Sequence, residues 1–463
     1  MKSPGSLQFP DSFVWGAATS ATQIEGAAAS DGRGPSIWDV FCQTPGRVEN
    51  HENPGRACEF YQRWPEDLRL MREIGLQAFR FSVSWSRVLP AGTGRVNPAG
   101  LDFYQRLTDG LLAAGIRPYL TLYHWDLPQA LMDRGGWLAR DSADWFADYA
   151  GVLAAALGDR VKDWITFNEP QIFLGFGYRH GSHAPGLRLA DEEVFRAAHH
   201  VNLAHGRAVT RLRRIVTDAR TGFAIATKIG IPRDEEDPAC VEAARLATIE
   251  PEWTGTHETF LNNAWWADPM VHGRYPAALA RRLPGFCDSL PAGDLAEIRQ
   301  PLDFFGFNYY FGVVVEPDGA GGWRRVPTKP GEPRTMIGWP VHPSGMYWAA
   351  RFIYDEYRLP LYVFENGVSA MDWVSLDGAV HDPNRIDFLT RYLAEYQRAH
   401  AAGIPLAGYF HWSLLDNFEW TQGYRERFGL IHVDYATQQR TLKDSAHWFR
   451  QVIQGGDQAW ARS

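Results

Sequence analysis

Two glutamates stand where chemistry could use them. Glu169 follows the run Thr166-Phe167-Asn168 and precedes Pro170. Glu365 ends the run Leu361-Tyr362-Val363-Phe364-Glu365, before Asn366-Gly367. Each closes an apolar, strand-like stretch and meets a turn residue, so each carboxyl is expected at a strand end. Paired carboxyls are what cleavage of a glycosidic bond requires. One protonates the leaving oxygen; the other attacks the anomeric carbon or activates a water. A gap of about 5–5.5 Å gives retention and about 6.5–9.5 Å gives inversion. The sequence leaves that gap open. A lone buried glutamate reads as half of a structural ion pair. Two at strand ends, with Asn168 and His124 beside them, do not.

The elements that must hold these groups recur along the chain as a β-rich run followed by a helical pattern. The runs are 13–20, 78–85, 117–125, 163–168, 222–228, 304–310, 361–365 and 406–412. Their near-continuous apolar character predicts strands buried on both faces. Between them, Pro65-Glu66-Asp67 opens an amphipathic stretch that Gly75 stops. Residues 101–114 and 144–157 repeat the three-to-four spacing of a helix. The fold class is therefore α/β, a (β/α)8 barrel forming a single catalytic domain over residues 1–463. A doubly wound sheet would need a Gly-rich turn after its first strand, and Gly16-Ala17-Ala18-Thr19 is not one. In a barrel the C-terminal rim carries the site. That rim would gather Gln23, Arg80, His124, Trp125, Asn168, Glu169, Asn308, Tyr310, Glu365, Trp412, Glu419 and Trp420.

Other classes are excluded on the residues. The net charge is 46 − 54 = −8, which argues against a nucleic-acid partner. No run reaches the length of a membrane span. Four cysteines are too few for a disulfide scaffold, although a Cys42–Cys58 bridge stays open. Met1 to Pro10 holds no apolar signal core, so the expected location is cytoplasmic. There is no phosphate loop and no nucleophile elbow. His257-Glu258-Thr259-Phe260-Leu261 lacks the second histidine of a zinc helix, and His199, His200 and His205 are poorly spaced for chelation. No metal and no cofactor are expected. The 19 tryptophans suit a large core, and an indole also offers a flat face to the C–H side of a sugar ring.

The motifs then resemble family 1 of the glycoside hydrolases, the β-glucosidase type, almost end to end. The resemblance runs from Phe13-Val14-Trp15-Gly16-Ala17-Ala18-Thr19-Ser20 and Gln23-Ile24-Glu25-Gly26 through Phe79-Arg80-Phe81-Ser82-Val83-Ser84-Trp85. It continues in Leu122-Tyr123-His124-Trp125-Asp126-Leu127-Pro128, in Asn168-Glu169-Pro170 and in Phe364-Glu365-Asn366-Gly367. It closes on Trp412-Ser413-Leu414-Leu415-Asp416-Asn417-Phe418-Glu419-Trp420. The resemblance implies a retaining barrel with Glu365 as nucleophile and Glu169 as general acid/base. It implies that Gln23, His124, Trp125, Asn168, Tyr310, Glu419 and Trp420 bind the sugar, with Trp412 as stacking platform, while Arg80 and Tyr310 support Glu365. Gln171, Tyr178, His183 and Trp339 are expected around the leaving group. The implied partner is a small β-glucoside or cello-oligosaccharide, with tolerance for β-galactosides and β-fucosides; a homo-oligomer stays open. The alternatives are a transglycosidase of the same mechanism and a non-catalytic sugar-binding barrel. Glu169 and Glu419 are intact, unlike in the thioglucosidase and 6-phosphoglycosidase branches. The chain departs from the family at Glu59-Phe60, at Phe364 and at Ala226, where a strand-five asparagine is usual.

Overall fold

A computed structural model describes residues 8–455. Eight parallel strands close into a barrel, each paired with its neighbours in chain order. They are β1 (Val14–Ala18), β2 (Ala78–Ser82), β3 (Arg117–Tyr123), β4 (Asp163–Asn168), β5 (Arg220–Ala226), β6 (Phe305–Asn308), β7 (Leu361–Asn366) and β8 (Leu406–Trp412). The ring closes where β1 pairs with β8, Val14 opposite Gly408 through Ala18 opposite Trp412. This is the (β/α)8 fold expected from the sequence.

The strand ends differ from the apolar runs in instructive ways. β5 begins at Arg220 rather than 222, because Arg220 pairs with Asp163 on β4. It stops at Ala226, since the amide of Thr227 already bonds across to the Asn308 carbonyl. Trp85, read as a strand end, instead opens a short helix, Trp85–Val88.

Aromatic rings fill the barrel interior. Tyr119, Tyr362, Phe364 and Phe410 are buried together, and the Tyr362 and Phe364 rings stack at 5.2 Å. Two glycines make room for them. A Cβ at Gly16 would lie 2.5 Å from the Phe410 ring, and one at Gly306 would lie 2.3 Å from the Phe364 ring. Outside, helices such as Phe60–Ile74, Ser142–Leu157 and Asp191–Ile215 pack apolar faces onto the strands. The interior is a solid floor, so only the rim above it is free to build a site.

Candidate active site

Each of the two glutamates is aimed by a local irregularity. The β4–β5 register shifts between Ile165 and Asn168, and the β6–β7 register shifts between Val363 and Glu365. Such bulges bend a strand and redirect the next side chain. Glu169 follows its bulge with φ 48°, a left-handed conformation uncommon for a residue with a Cβ. Its amide bonds to the Ala224 carbonyl at 2.8 Å, and Pro170 then starts a short helix.

The two carboxyls meet opposite surroundings. Arg80, fully buried on β2, donates to Glu365 Oε1 at 2.7 Å, to the Asn168 Oδ1 at 2.6 Å and to Thr121 Oγ1 at 3.2 Å. Tyr310 Oη donates to Glu365 Oε2 at 2.9 Å. A guanidinium and a phenol thus favour the charged form of Glu365 against the burial that raises its pKa. Glu169 has no ion-pair partner among the described residues. It accepts one bond, from Asn308 Nδ2 at 2.9 Å. Burial, and then the negative charge of Glu365, push it up to about 8. The same Asn308 amide also bonds the Asn168 Oδ1 at 3.1 Å and helps hold Glu365 ionised. Asn308 therefore stands between both carboxyls. Sequence reasoning gave it no role; its place at the end of β6, in the ring of polar strand ends, was the available signal.

The remaining residues form one concave wall. The Asn168 Oδ1 is occupied by two donors, so its Nδ2 donates to His124 Nε2 at 3.1 Å. Burial, then the Arg80 charge, hold His124 well below its usual pKa, and it stays neutral. Trp125 has φ 74°, donates its indole N–H to the Asn168 carbonyl at 3.0 Å, and stacks on Trp420 at 4.4 Å. Trp412 lies parallel to His124 at 5.8 Å. Gln23 crosses from the first loop to the last, donating to Asn417 Oδ1 at 3.0 Å and the Phe418 carbonyl at 2.9 Å, with Glu419 at 3.5 Å. Burial raises Glu419 to about 8, helped by the charges of Glu365 and Glu426.

These groups open onto one cavity of about 550 Å³. His124, Trp125, Glu169, Asn308, Tyr310, Glu365, Trp412, Glu419 and Trp420 line it, and Gln23, Arg80 and Asn168 are hydrogen-bonded to Glu419, Glu365 and His124 of that lining. Such a volume suits a ligand larger than one sugar ring. Of the four residues expected around the leaving group, His183 and Trp339 line the cavity. Gln171 and Tyr178 do not, which corrects that expectation. Gln171 is fully buried and spends both ends of its amide on the Ala226 backbone, at 3.0 and 3.3 Å. Tyr178 turns the other way, its hydroxyl accepting from the Trp137 amide at 3.3 Å. Among the departures, Ala226 lines the cavity, and the Phe364 ring lies 5.2 Å beneath the Arg80 guanidinium. A Cys42–Cys58 bridge is absent, both thiols being free. No helix among the described residues is long and apolar enough to cross a membrane.

Comparison with known proteins agrees with this geometry. The family model described as Glycosyl hydrolase family 1 matches residues 6–457. Beta-glucosidase A of Thermotoga maritima is 44% identical over 448 residues, 96% of this chain and 98% of that one. A bifunctional beta-D-glucosidase/beta-D-fucosidase of Bifidobacterium breve is 42% identical over 472 residues, covering 97% and 98%. The Thermotoga maritima beta-glucosidase in complex with glucoimidazole superposes with a TM-score of 0.87 at 43% identity, covering 97% of this chain and 99% of that one. Near-complete coverage in both directions, joined to two carboxyls at the barrel rim, makes this chain a member of glycosyl hydrolase family 1.

Proposed function

We propose that the chain is a retaining β-glucosidase acting on terminal, unphosphorylated β-D-glucosides, with tolerance for β-D-galactosides and β-D-fucosides. The observation that carries the mechanism is the asymmetry of the two carboxyls. Glu365 is ion-paired to Arg80 and bonded by Tyr310, so it is the group that ionises first. Glu169 is unpaired and pushed up to about 8, so it keeps its proton near neutrality. Asn308 donates to Glu169 at 2.9 Å and also favours the charged form of Glu365, so both carboxyls gather around one side chain. That favours the retaining spacing over the inverting one.

In the first step a Glu365 oxygen forms a bond to the anomeric carbon as the glycosidic bond breaks, and the Glu169 proton goes to the departing oxygen. In the second, Glu169 takes a proton from water while the water oxygen displaces Glu365. Glu169 ends protonated and Glu365 ends ionised, so the cycle closes. Asn168 is bonded on two sides and is held to meet the sugar 2-hydroxyl. Gln23, His124 and Glu419 supply polar groups for the hydroxyls farther round the ring, with Trp412 beneath it. Of the cations that line the cavity, Lys228 donates to Glu252 and Arg325 lies 3.7 Å from Glu258, so each already faces a carboxylate. Four free thiols suit a reducing, cytoplasmic setting.

Azide assigns the two roles. Glu169→Ala with a dinitrophenyl β-glucoside should form the glycosyl-enzyme and stall. Azide should then restore turnover and yield the β-glucosyl azide. Glu365→Ala should yield only the α-azide, from the vacated face. Proton spectra of the products read the anomer, and the opposite pairing of azides would reverse the assignment.

A further inference from the structure

The residue after Glu365 carries a chemical hazard. Asn366 closes β7 and is the one asparagine of the chain that is followed by glycine. Asparagine is heat-labile. Its side-chain carbonyl carbon is within reach of the next backbone nitrogen, and a glycine there raises no Cβ against the approach. Gly367 cannot be exchanged to remove the hazard. A Cβ on it would stand 1.9 Å from the Trp412 carbonyl oxygen.

The fold holds this amide at both ends. Asn366 is fully buried. Its Nδ2 donates to the carbonyl of Tyr309, just past the end of β6, at 2.6 Å. Tyr409 Oη, from β8, donates to its Oδ1 at 2.9 Å and stands 3.3 Å from its backbone carbonyl. The elements on both sides of β7 therefore grip one side chain. To react, the amide must turn onto the Gly367 nitrogen and release both partners, which asks for a local opening of the strand end.

We infer that Asn366 is a modification site, where heat or age deamidates the protein, and that Tyr309 and Tyr409 keep it silent in the folded state. In the reaction the Gly367 nitrogen bonds to Cγ of Asn366 and the Cγ–Nδ2 bond breaks. The Gly367 amide proton leaves with Nδ2 as ammonia. Water then opens the cyclic imide at either carbonyl, giving aspartate or its isomer with the main chain routed through the side chain. No oxidant or cofactor is consumed. A new aspartate would turn a carboxylate oxygen onto the Tyr309 carbonyl, acceptor against acceptor, and set a charge beside Glu365. The isomer lengthens the main chain by one carbon at the same point. Either product disturbs Glu365, so activity is lost with the amide.

Two tyrosine variants test this. Tyr409→Phe keeps the ring against Trp15 and Phe449 and removes only the hydroxyl. Tyr396→Phe is the control. Its hydroxyl bonds the Leu361 and Gly408 carbonyls of β7 and β8 at 3.4 Å each, at the opposite end of β7 from Asn366. Wild type and both variants are held warm in mildly alkaline buffer, below their melting temperatures. Peptide mass spectrometry reads deamidation at Asn366. Tyr409→Phe should be modified about tenfold faster than the wild type, the worth of one hydrogen bond, and Tyr396→Phe no faster. Activity on nitrophenyl β-glucoside should fall in step with the modified fraction. Equal rates in all three proteins, or equal acceleration in both variants, overturn the inference. If Tyr409→Phe does not fold, the wild type decides alone. Activity lost in step with the amide upholds the site, and activity lost while Asn366 stays intact overturns it. Deamidation is read by mass, so a chain inactive on every glucoside would refute the β-glucosidase reading and leave the comparison of rates intact.

Discussion

At the scale of single residues, one side-chain amide sets the balance between two carboxyls. Asn308 donates to Glu169 at 2.9 Å and contributes to holding Glu365 ionised. A donor to a carboxylate favours its charged form, so Asn308 lowers the pKa of Glu169 against the burial and the neighbouring charge that raise it. Asn308→Ala removes that donor. Glu169 should then hold its proton to higher pH, and the alkaline limb of the kcat/KM profile should move upward by roughly half to one pH unit. The rate should fall about 10-fold or more, since the Glu169 side chain loses its one hydrogen-bond partner among the described residues. A pH–rate profile read beside the wild type decides it. A fall in rate with an unmoved alkaline limb would show that Asn308 merely supports the wall. Glu169 and Glu365 were legible in the sequence because each ends an apolar run at a turn. Asn308 was visible as a strand end but not as a bridge, because its role depends on which atoms two other strands present to it. Gln171 and Tyr178 misled for the converse reason. They follow Glu169 closely in sequence, yet each points away from the cavity to satisfy backbone groups and a helix packing face.

At the scale of elements, the loops that carry the sugar wall are bolted together below the surface. The loop after β7 contributes Asp372 and the loop after β8 contributes Asp416, both nearly or fully buried. Lys443, which precedes the last helix, Asp444–Ile453, donates to Asp372 at 2.5 Å and to Asp416 at 2.6 Å. Arg385, on the helix Pro383–Ala401, donates to Asp372 at 2.6 Å. Asp416 also receives Arg427 at 2.7 Å and the Gly429 amide at 2.9 Å. Asn417, Glu419 and Trp420 are the residues next along that loop. Lys443→Met leaves two buried carboxylates short of a cation, a loss of roughly 3–5 kcal/mol. The melting temperature should fall, and KM for nitrophenyl β-glucoside should rise as the Glu419–Trp420 segment loosens. Adding Asp416→Asn to the same chain removes one of the stranded charges, so the double variant should be less destabilised than the sum of the two singles. Thermal melts of the four proteins in that cycle give the coupling, and strict additivity would mean the bridge carries no load. The eight strands were readable because burial on both faces writes a continuous apolar run. This bridge was not. Lys443 and Asp372 lie 71 positions apart, and nothing local marks a lone lysine as buried.

At the scale of the whole molecule, the chemistry is held at a cost in stability. The (β/α)8 frame has a solid aromatic floor and no disulfide among its four cysteines, so burial of apolar surface must carry the fold. Onto that frame the rim places Glu169 and Glu419, both buried and both pushed up to about 8. An ordinary glutamate in the unfolded chain has a pKa near 4.5. The folded state thus binds the Glu169 proton more tightly than the unfolded state does. The linkage follows from that sign. Below about 4.5 both states are protonated and the folded protein bears no penalty from this group. Between there and about 8 the unfolded chain ionises while the folded one resists, so stability falls as pH rises. Glu169→Gln keeps the shape and a neutral side chain but cannot ionise in either state. It should therefore melt higher than the wild type at pH 8, by roughly 2–4 °C, and the two curves should converge as the pH approaches 4.5. The same variant should lose turnover of glucosides whose leaving group needs a proton, because the amide cannot deliver one. Melting curves at pH 8, 6 and 4.5, taken with activity on alkyl glucosides, test both halves together. A stability difference that stays constant across that range would show that Glu169 does not titrate high, and the proton it is meant to donate would not be there.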